Sequence, residues 1–258
     1  MVSKNKIKYI HSLEYKKNRD AFGVFVAEGP KVVGDIIGNH PGSLRILVAT
    51  ENWLNANSDI CSKLDCEVII ADNHELSSAS FLCHPQQVLG VFEKFSVKQP
   101  QVNCEQDLTL VLDGIQDPGN MGTIVRIADW FGIENIICSH DTTDIYNPKV
   151  VQATMGSIAR VNVIYTELES FLDSLPESTP IYGTLLDGNS MYTSELTPNG
   201  VIIMGNEGKG ISPGIREYIT HALRIPNYPE NRETAESLNV AVATAIVCAE
   251  FRRFFMKH

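Results

Sequence analysis

Three glycine-punctuated stretches of this 258-residue chain hold the side chains best placed for chemistry. The first, LDGIQDPGNMGTIVRIADWFG at residues 112–132, reads as a strand, a tight turn and a helix. Pro118 and Gly119 make the turn, and Asn120 suits the helix N-cap, where a side-chain oxygen accepts a first-turn N–H. Ile124, Ile127, Ala128 and Phe131 follow the i, i+3, i+4, i+7 spacing of a core face. Arg126 falls off that face, one turn after Gly122. Helical side chains lean towards the N-terminus, so its guanidinium lies over a bare glycine at the mouth of the turn. Five fixed N–H donors are then available to hold an acceptor. The pattern equally allows a surface arginine paired with Asp129 or Asp117.

The second stretch, VIIMGNEGKGIS at 201–212, ends a strand in a run whose glycines, Gly205, Gly208 and Gly210, permit close backbone approach. It is not a phosphate loop: Gly208-Lys209 follows Gly205 too soon, and Gly210 stands where a hydroxyl is required. No Gly-x-Gly-x-x-Gly follows any strand. The third stretch, LRIPNYPENRETAESLNVAVATAIVCAEF, runs from a short strand through a polar loop into a helix expected to start at Ser237, which can cap it. Asn239 falls in its first turn. Ala241, Ala245 and Ala249 form a small-residue stripe that fits either close approach by another helix or an ordinary buried face.

The elements that must position these residues alternate along the chain. At the N-terminal end a polar helix to about Arg19 is followed by GVFVAEG as a strand and PKVVGDII as a helix opening at Pro30. LRILVAT and CEVIIAD follow as apolar, β-rich runs, and QQVLGVFEKF closes this part. Residues 96–107 read as a polar linker, which divides the chain into domains at 1–95 and 108–258. The second domain offers LTLVLDGI, ENIICSH, VNVIYT, PIYGTLL, VIIMGNE and ALRIPN as strands with helical patterns between most of them. Short continuous apolar strands alternating with helices imply an α/β fold with a parallel sheet covered on both faces. Its ligand belongs at the C-terminal ends of the strands.

Bulk properties narrow the function classes. The net charge is −10, yet residues 1–31 hold seven Lys or Arg against three acids, a local +4. A basic end on an acidic body fits contact with a polyanion, or simply a solvated helix face. The six cysteines form no Cys-x-x-Cys pair and read as reduced thiols in apolar runs, and the seven histidines show no ligand spacing, so no metal site is expected. The N-terminus lacks an apolar signal core, and no apolar run reaches membrane-spanning length. A cytoplasmic protein is the expectation.

Taken together and in this order, the three stretches resemble the SpoU (TrmH-like) family of RNA ribose 2′-O-methyltransferases, within the SPOUT superfamily. DPGNMGTIVRIADWFGI, IIMGNEGKGIS and IPNYPENRETAESLNVAVATAIVCAEF are similar to its three motifs, and VVQATMGSIARVNV to the helix between the first two. LEYKKNRDAFGVFVAEGPKVV resembles the small RNA-binding domain, similar to a ribosomal protein, that many members carry. The resemblance implies a deep trefoil knot, S-adenosylmethionine held bent in the knotted loops, and a homodimer formed through the helix from Leu238 onward. By the same resemblance Asn120, Arg126, Glu207, Ser237 and Asn239 are the active-site residues. Gly205, Asn206, Ile225, Leu238 and Thr184 surround the cofactor. The loop NYPENRETAE between Pro226 and Ser237 is longer than the family's, and with Glu230, Arg232 and Glu233 it could act as a flap.

RNA is the implied partner, ribosomal RNA ahead of transfer RNA, with Lys4, Lys6, Lys8, Lys16, Lys17 and Arg19 expected to carry affinity. One rival reading is a non-catalytic RNA-binding protein that keeps the fold; the joint presence of Asn120, Arg126, Glu207 and Asn239 speaks against it. Another is a nucleotide hydrolase, which the failed phosphate-loop pattern disfavours.

Overall fold

The computed structural model of the chain describes residues 2–95, 103–229, 232 and 235–255. Contacts divide it into two units: Met1–Ser96 with Asp144–Arg160, and Val97–Thr143 with Val161–His258. Most of the expected linker, residues 96–102, lies outside the described residues. Residues 103–107 form a turn whose Cys104 is buried in the core of the second unit. Among the described residues no helix is long and apolar enough to cross a membrane.

The first unit contains strands β1 (Val24–Glu28), β2 (Leu44–Ala49), β3 (Glu67–Ile70) and β4 (Val88–Glu93) in the spatial order β1-β4-β2-β3. β4 runs antiparallel to both β1 and β2, and β3 parallel to β2. The polar N-terminal segment is two helices, Lys4–Ser12 and Lys16–Phe22, separated at Leu13, whose side chain is fully buried. Gly23 closes the second helix at φ +66, a conformation that suits glycine.

Arg19 departs from its expected role as an RNA contact. It is 2% exposed, donates from Nη1 to the carbonyls of Leu13 (2.9 Å) and Glu14 (2.6 Å), and pairs through Nη2 with Asp144 at 2.7 Å. The guanidinium therefore satisfies the carbonyls left open where the two helices meet, and it ties them to the later segment Asp144–Arg160. Tyr146 of that segment packs its ring 4.8 Å from Phe25 and accepts the Phe95 N–H; burial pushes its hydroxyl up to about 12.

The second unit is built on β5 (Leu108–Asp113), β6 (Asn135–Cys138), β7 (Asn162–Tyr165), β8 (Ile181–Ser190), β9 (Gly200–Gly205) and β10 (His221–Arg224). The described strands pair in parallel in the order β10-β8-β9-β5-β6-β7. Every residue of β5 is buried, as a central strand covered on both faces requires. The chain moves outward from β5 through β6 and β7, then returns to the other side of β5 with β8 and β9. The order thus reverses between β5 and β9, where Asp113 pairs with Gly205. Such a reversal opens a crevice beyond the strand ends. β8 extends past the expected PIYGTLL: its register against β10 shifts after Ala222, and Gly188 lies where a Cβ would meet the Ala222 and Leu223 backbone at 2.7–2.9 Å.

Removing one member of a buried ion pair strands the other. Arg19→Ala is expected to lower unfolding stability by about 3–5 kcal/mol, read as a shifted urea midpoint. A surface role for Arg19 would leave the midpoint unmoved.

Candidate active site

The crevice between β5 and β9 is a cleft of about 240 Å³ lined by Ile115, Gln116, Asp117, Asn120, Asn206, Glu207, Gly208 and Val240. Its floor is a braced turn. Gly114, at φ +71, donates its N–H to Ser139 Oγ (2.9 Å), and Asn206 Nδ2 donates to the Gly114 carbonyl (2.7 Å). Ser139 in turn donates to Asp141, and Thr142 Oγ1 accepts the Ile115 N–H. Ser139, Asp141 and Thr142 did not figure among the expected site residues. The polar run SHDTT directly after an apolar strand is the signal that could have drawn attention to them.

The helix Pro118–Trp130 starts earlier than expected. Asp117 is its N-cap, accepting the Asn120 N–H at 2.8 Å, and Pro118 occupies the first helical position, where its missing N–H is harmless. Asn120 is therefore not the cap. Its amide is satisfied within the first turn, which leaves the side chain for a partner outside the helix. The buried stripe is Met121, Ile124, Val125 and Ala128, with Ile127 only half-buried. Arg126 is exposed and has no hydrogen-bond or ion-pair partner among the described residues, so neither Asp117 nor Asp129 holds it. Gly122, one turn earlier, is buried.

The loop after β9 folds back on itself. Asn206 and Gly210 exchange two backbone hydrogen bonds, and Asn206 Oδ1 accepts the N–H groups of Gly208 (2.9 Å) and Lys209 (3.1 Å). A Cβ on Gly205 would lie 2.4 Å from the Gly210 carbonyl carbon and the Ile211 nitrogen, so only glycine fits there. Gly210 adopts φ +70, whereas Gly208 meets no such demand. Asp113, at the end of β5, anchors the far side by accepting the Ser212 N–H at 2.6 Å. This frame presents Glu207 over the cleft.

Glu207 Oε1 accepts from Asn120 Nδ2, from Asn239 Nδ2 (3.0 Å) and from the Val240 N–H (3.3 Å). Asn239 Nδ2 also lies 2.9 Å from Asn120 Oδ1. Three expected residues from three separate stretches thus form one cluster. Ser237 is not part of it. It is exposed, without a hydrogen bond among the described residues, and the helix begins at Val240 with Asn239 Oδ1 accepting the N–H groups of Ala241 and Val242. The carboxamide reaches the first-turn amides while its other end holds Glu207, which a serine hydroxyl two residues earlier does not do.

Thr184 lies within β8, one residue past its pairing with β9, Gly205 ends β9 and Ile225 follows β10; all three are half-buried. Thr184 Oγ1 is tied to the Ile203 carbonyl at 3.2 Å. Leu238 is 48% exposed. Of the expected cofactor residues only Asn206 lines the cleft itself. Glu230, Asn231, Glu233 and Thr234 lie outside the described residues, so the proposed flap is described only at its ends.

The helix Val240–Phe255 buries Val240, Ala241, Thr244, Val247, Cys248 and Phe251, and packs on Pro118–Trp130. Arg252 caps that neighbour, donating from Nε and Nη2 to the carbonyls of Phe131 and Gly132. Ala241 is thus used within the chain, while Val242 and Ala249 remain exposed and Ala245 and Ile246 half-buried.

Residues 107–249 match the SpoU rRNA Methylase family, and residues 4–90 match a domain described as the MRM3-like substrate binding domain. The chain is 31% identical over 250 residues to the 23S rRNA (guanosine(2553)-2′-O)-methyltransferase RlmP of Bacillus subtilis, covering 96% of each protein. A TrmH-family structure from Porphyromonas gingivalis superposes with TM-score 0.85 at 38% identity, covering 98% of this chain and 99% of that one. The AdoMet-bound rRNA methyltransferase of Sinorhizobium meliloti gives 0.84 at 30%, covering 98% and 97%. The fold, the order of the three motifs and these matches agree: the chain belongs to the SpoU rRNA methylase family.

Proposed function

We propose that this chain transfers the methyl group of S-adenosylmethionine to a ribose 2′-hydroxyl of ribosomal RNA. The observation that carries the reading is the Asn120–Glu207–Asn239 cluster at the crevice where strand order reverses, with Asn120 on the same helix as Arg126, which has no partner among the described residues. The relatives named above act on ribosomal RNA, which favours it over transfer RNA. A cytoplasmic location follows from that substrate.

Thr184, Gly205, Asn206, Ile225 and Leu238 would hold the cofactor. Their fit rests on the backbone: Thr184, Gly205 and Ile225 come from the neighbouring strands β8, β9 and β10, and the Gly205 loop is pinned by its own hydrogen bonds before any ligand arrives. When bound, the group supplies a methyl already activated on a sulfonium sulfur. What remains for the chain is to align the attacking oxygen and to stabilise the charge growing on it.

Arg126 suits both tasks, because a planar fork grips a phosphate oxygen and the neighbouring 2′-oxygen together. A guanidinium surrenders its proton too reluctantly to serve as the base. The hydroxyl proton leaves through the phosphate or through water. Glu207 and Asn239 orient Asn120, whose remaining polar capacity faces the cleft. The family's trefoil knot belongs to this reading and is supported by the path from β10, at the sheet edge, back to Asn239 beside Glu207. So does a homodimer, formed through the apolar face of Val242, Ala245, Ile246 and Ala249.

Arg126→Ala is expected to leave cofactor affinity nearly unchanged by calorimetry and to cut single-turnover methyl transfer to RNA by about 10²–10⁴. Arg126→Lys should fail as well, since an ammonium lacks the fork. Near-normal transfer in the alanine variant would return Arg126 to the role of a surface residue. A protein that bound RNA but took no cofactor would be the non-catalytic rival. Glu207→Gln, which keeps an acceptor oxygen, should retain more transfer than Glu207→Ala; equal rates would remove Glu207 as the organiser of the cluster. Finally, Ala249→Arg should turn a dimer into monomers in sedimentation at micromolar concentration, and a monomeric parent protein would dismiss the interface.

A further inference from the structure

The first unit displays two aromatic rings that its core does not use. Tyr15 is 65% and Phe22 56% exposed, at opposite ends of the helix Lys16–Phe22. They are seven positions apart, which is about two turns and about 10 Å along one side of a helix. Phe22 meets Tyr9 edge-on, with ring centroids 5.4 Å apart, which fixes its plane. The helix beneath them is rigidly seated. Arg19, between the two rings in sequence, turns inward to the Leu13 and Glu14 carbonyls and Asp144; Gly23 ends the helix directly after Phe22.

Of the exposed charges next to the rings in sequence, Asp20 is paired with Lys94, which leaves Glu14 against Lys16 and Lys17. Lys8, Lys16 and Lys17 are exposed, and none makes a hydrogen bond or ion pair among the described residues. Exposed rings at the two ends of a helix that carries unpaired lysines match the pairing of base stacking with phosphate attraction that serves unpaired RNA. A duplex hides its base faces and offers such rings nothing to stack on.

We propose that Tyr15 and Phe22 form a stacking platform for unpaired bases of the RNA substrate, with Lys8, Lys16 and Lys17 holding the adjoining phosphates. The proposal rests on the reading of the chain as an RNA-modifying enzyme. It adds that the substrate presents a single-stranded loop or bulge to the first unit.

The test is equilibrium binding of the full-length protein to a labelled mixed-sequence single-stranded oligoribonucleotide and to an RNA duplex of the same length. Tyr15→Leu should weaken single-strand binding roughly 5- to 150-fold, the range for one lost stacked base. It should leave duplex binding unchanged, and Tyr15→Phe should bind as the parent does. Phe22→Leu should act like Tyr15→Leu, with its thermal unfolding checked because of the Tyr9 contact. Lys16→Gln with Lys17→Gln should weaken both RNAs and flatten the salt dependence. Equal losses on single strand and duplex in Tyr15→Leu would overturn the platform. So would unaltered single-strand binding in both leucine variants while the lysine variants still lose affinity; the rings would then serve a protein partner, and the RNA reading would stand. A parent protein that bound neither RNA at low salt would overturn the RNA reading itself.

Discussion

One carboxylate oxygen organises the active-site cleft of the second unit. Glu207 Oε1 accepts from groups of Asn120 and Asn239, which lie 87 and 32 residues away in sequence and 119 from each other. None of these groups could find the others by local folding. A carboxylate that accepts several N–H donors ties down the loop that carries it and the helix starts that supply the donors. Here the two helices Pro118–Trp130 and Val240–Phe255 meet at their N-terminal ends through Glu207 and at their far ends through Arg252.

That meeting depends on the sheet. The reversal of strand order falls between β5 and β9, whose ends Asp113 and Gly205 are paired, and such a reversal opens a crevice beyond them. Asp113 binds the Ser212 N–H across it, and Asn206 binds the Gly114 carbonyl. The two loops are therefore held from below by strand pairing and from above by side chains. A site braced in this way keeps its geometry before any ligand arrives, which lowers the ordering that binding must impose.

Cations of one short segment meet opposite fates in the first unit. Arg19 is buried, satisfies helix-end carbonyls and pairs with Asp144, whereas Lys16 and Lys17, three and two residues away, remain in solvent. A guanidinium can satisfy several fixed acceptors at once when it is taken out of water, and an ammonium on a flexible stem gains more by staying hydrated. The segment thus serves fold and charge together. Its net positive charge alone does not separate the two uses.

Much of this was legible in the residues. Continuous apolar runs such as LTLVLD and VIIMG identify buried parallel strands because period and composition are local properties. Gly205 marks a turn with no room for a side chain and Gly210 a left-handed position that favours glycine, and the three motifs name the residues that would do chemistry. The tertiary structure decided the rest. Asn120 and Ser237 read as caps from spacing, but capping depends on where the helix starts, and Asp117 and Asn239 set that instead. The burial of Arg19 depends on Asp144, which is 125 residues distant. The assignment of Asp144–Arg160 to the first unit, like the bracing of Gly114 by Ser139, is a contact between parts that no local pattern links. Sequence patterns report which face of an element is apolar; which partner covers that face, and which polar groups must then satisfy one another, emerges only when the chain closes on itself.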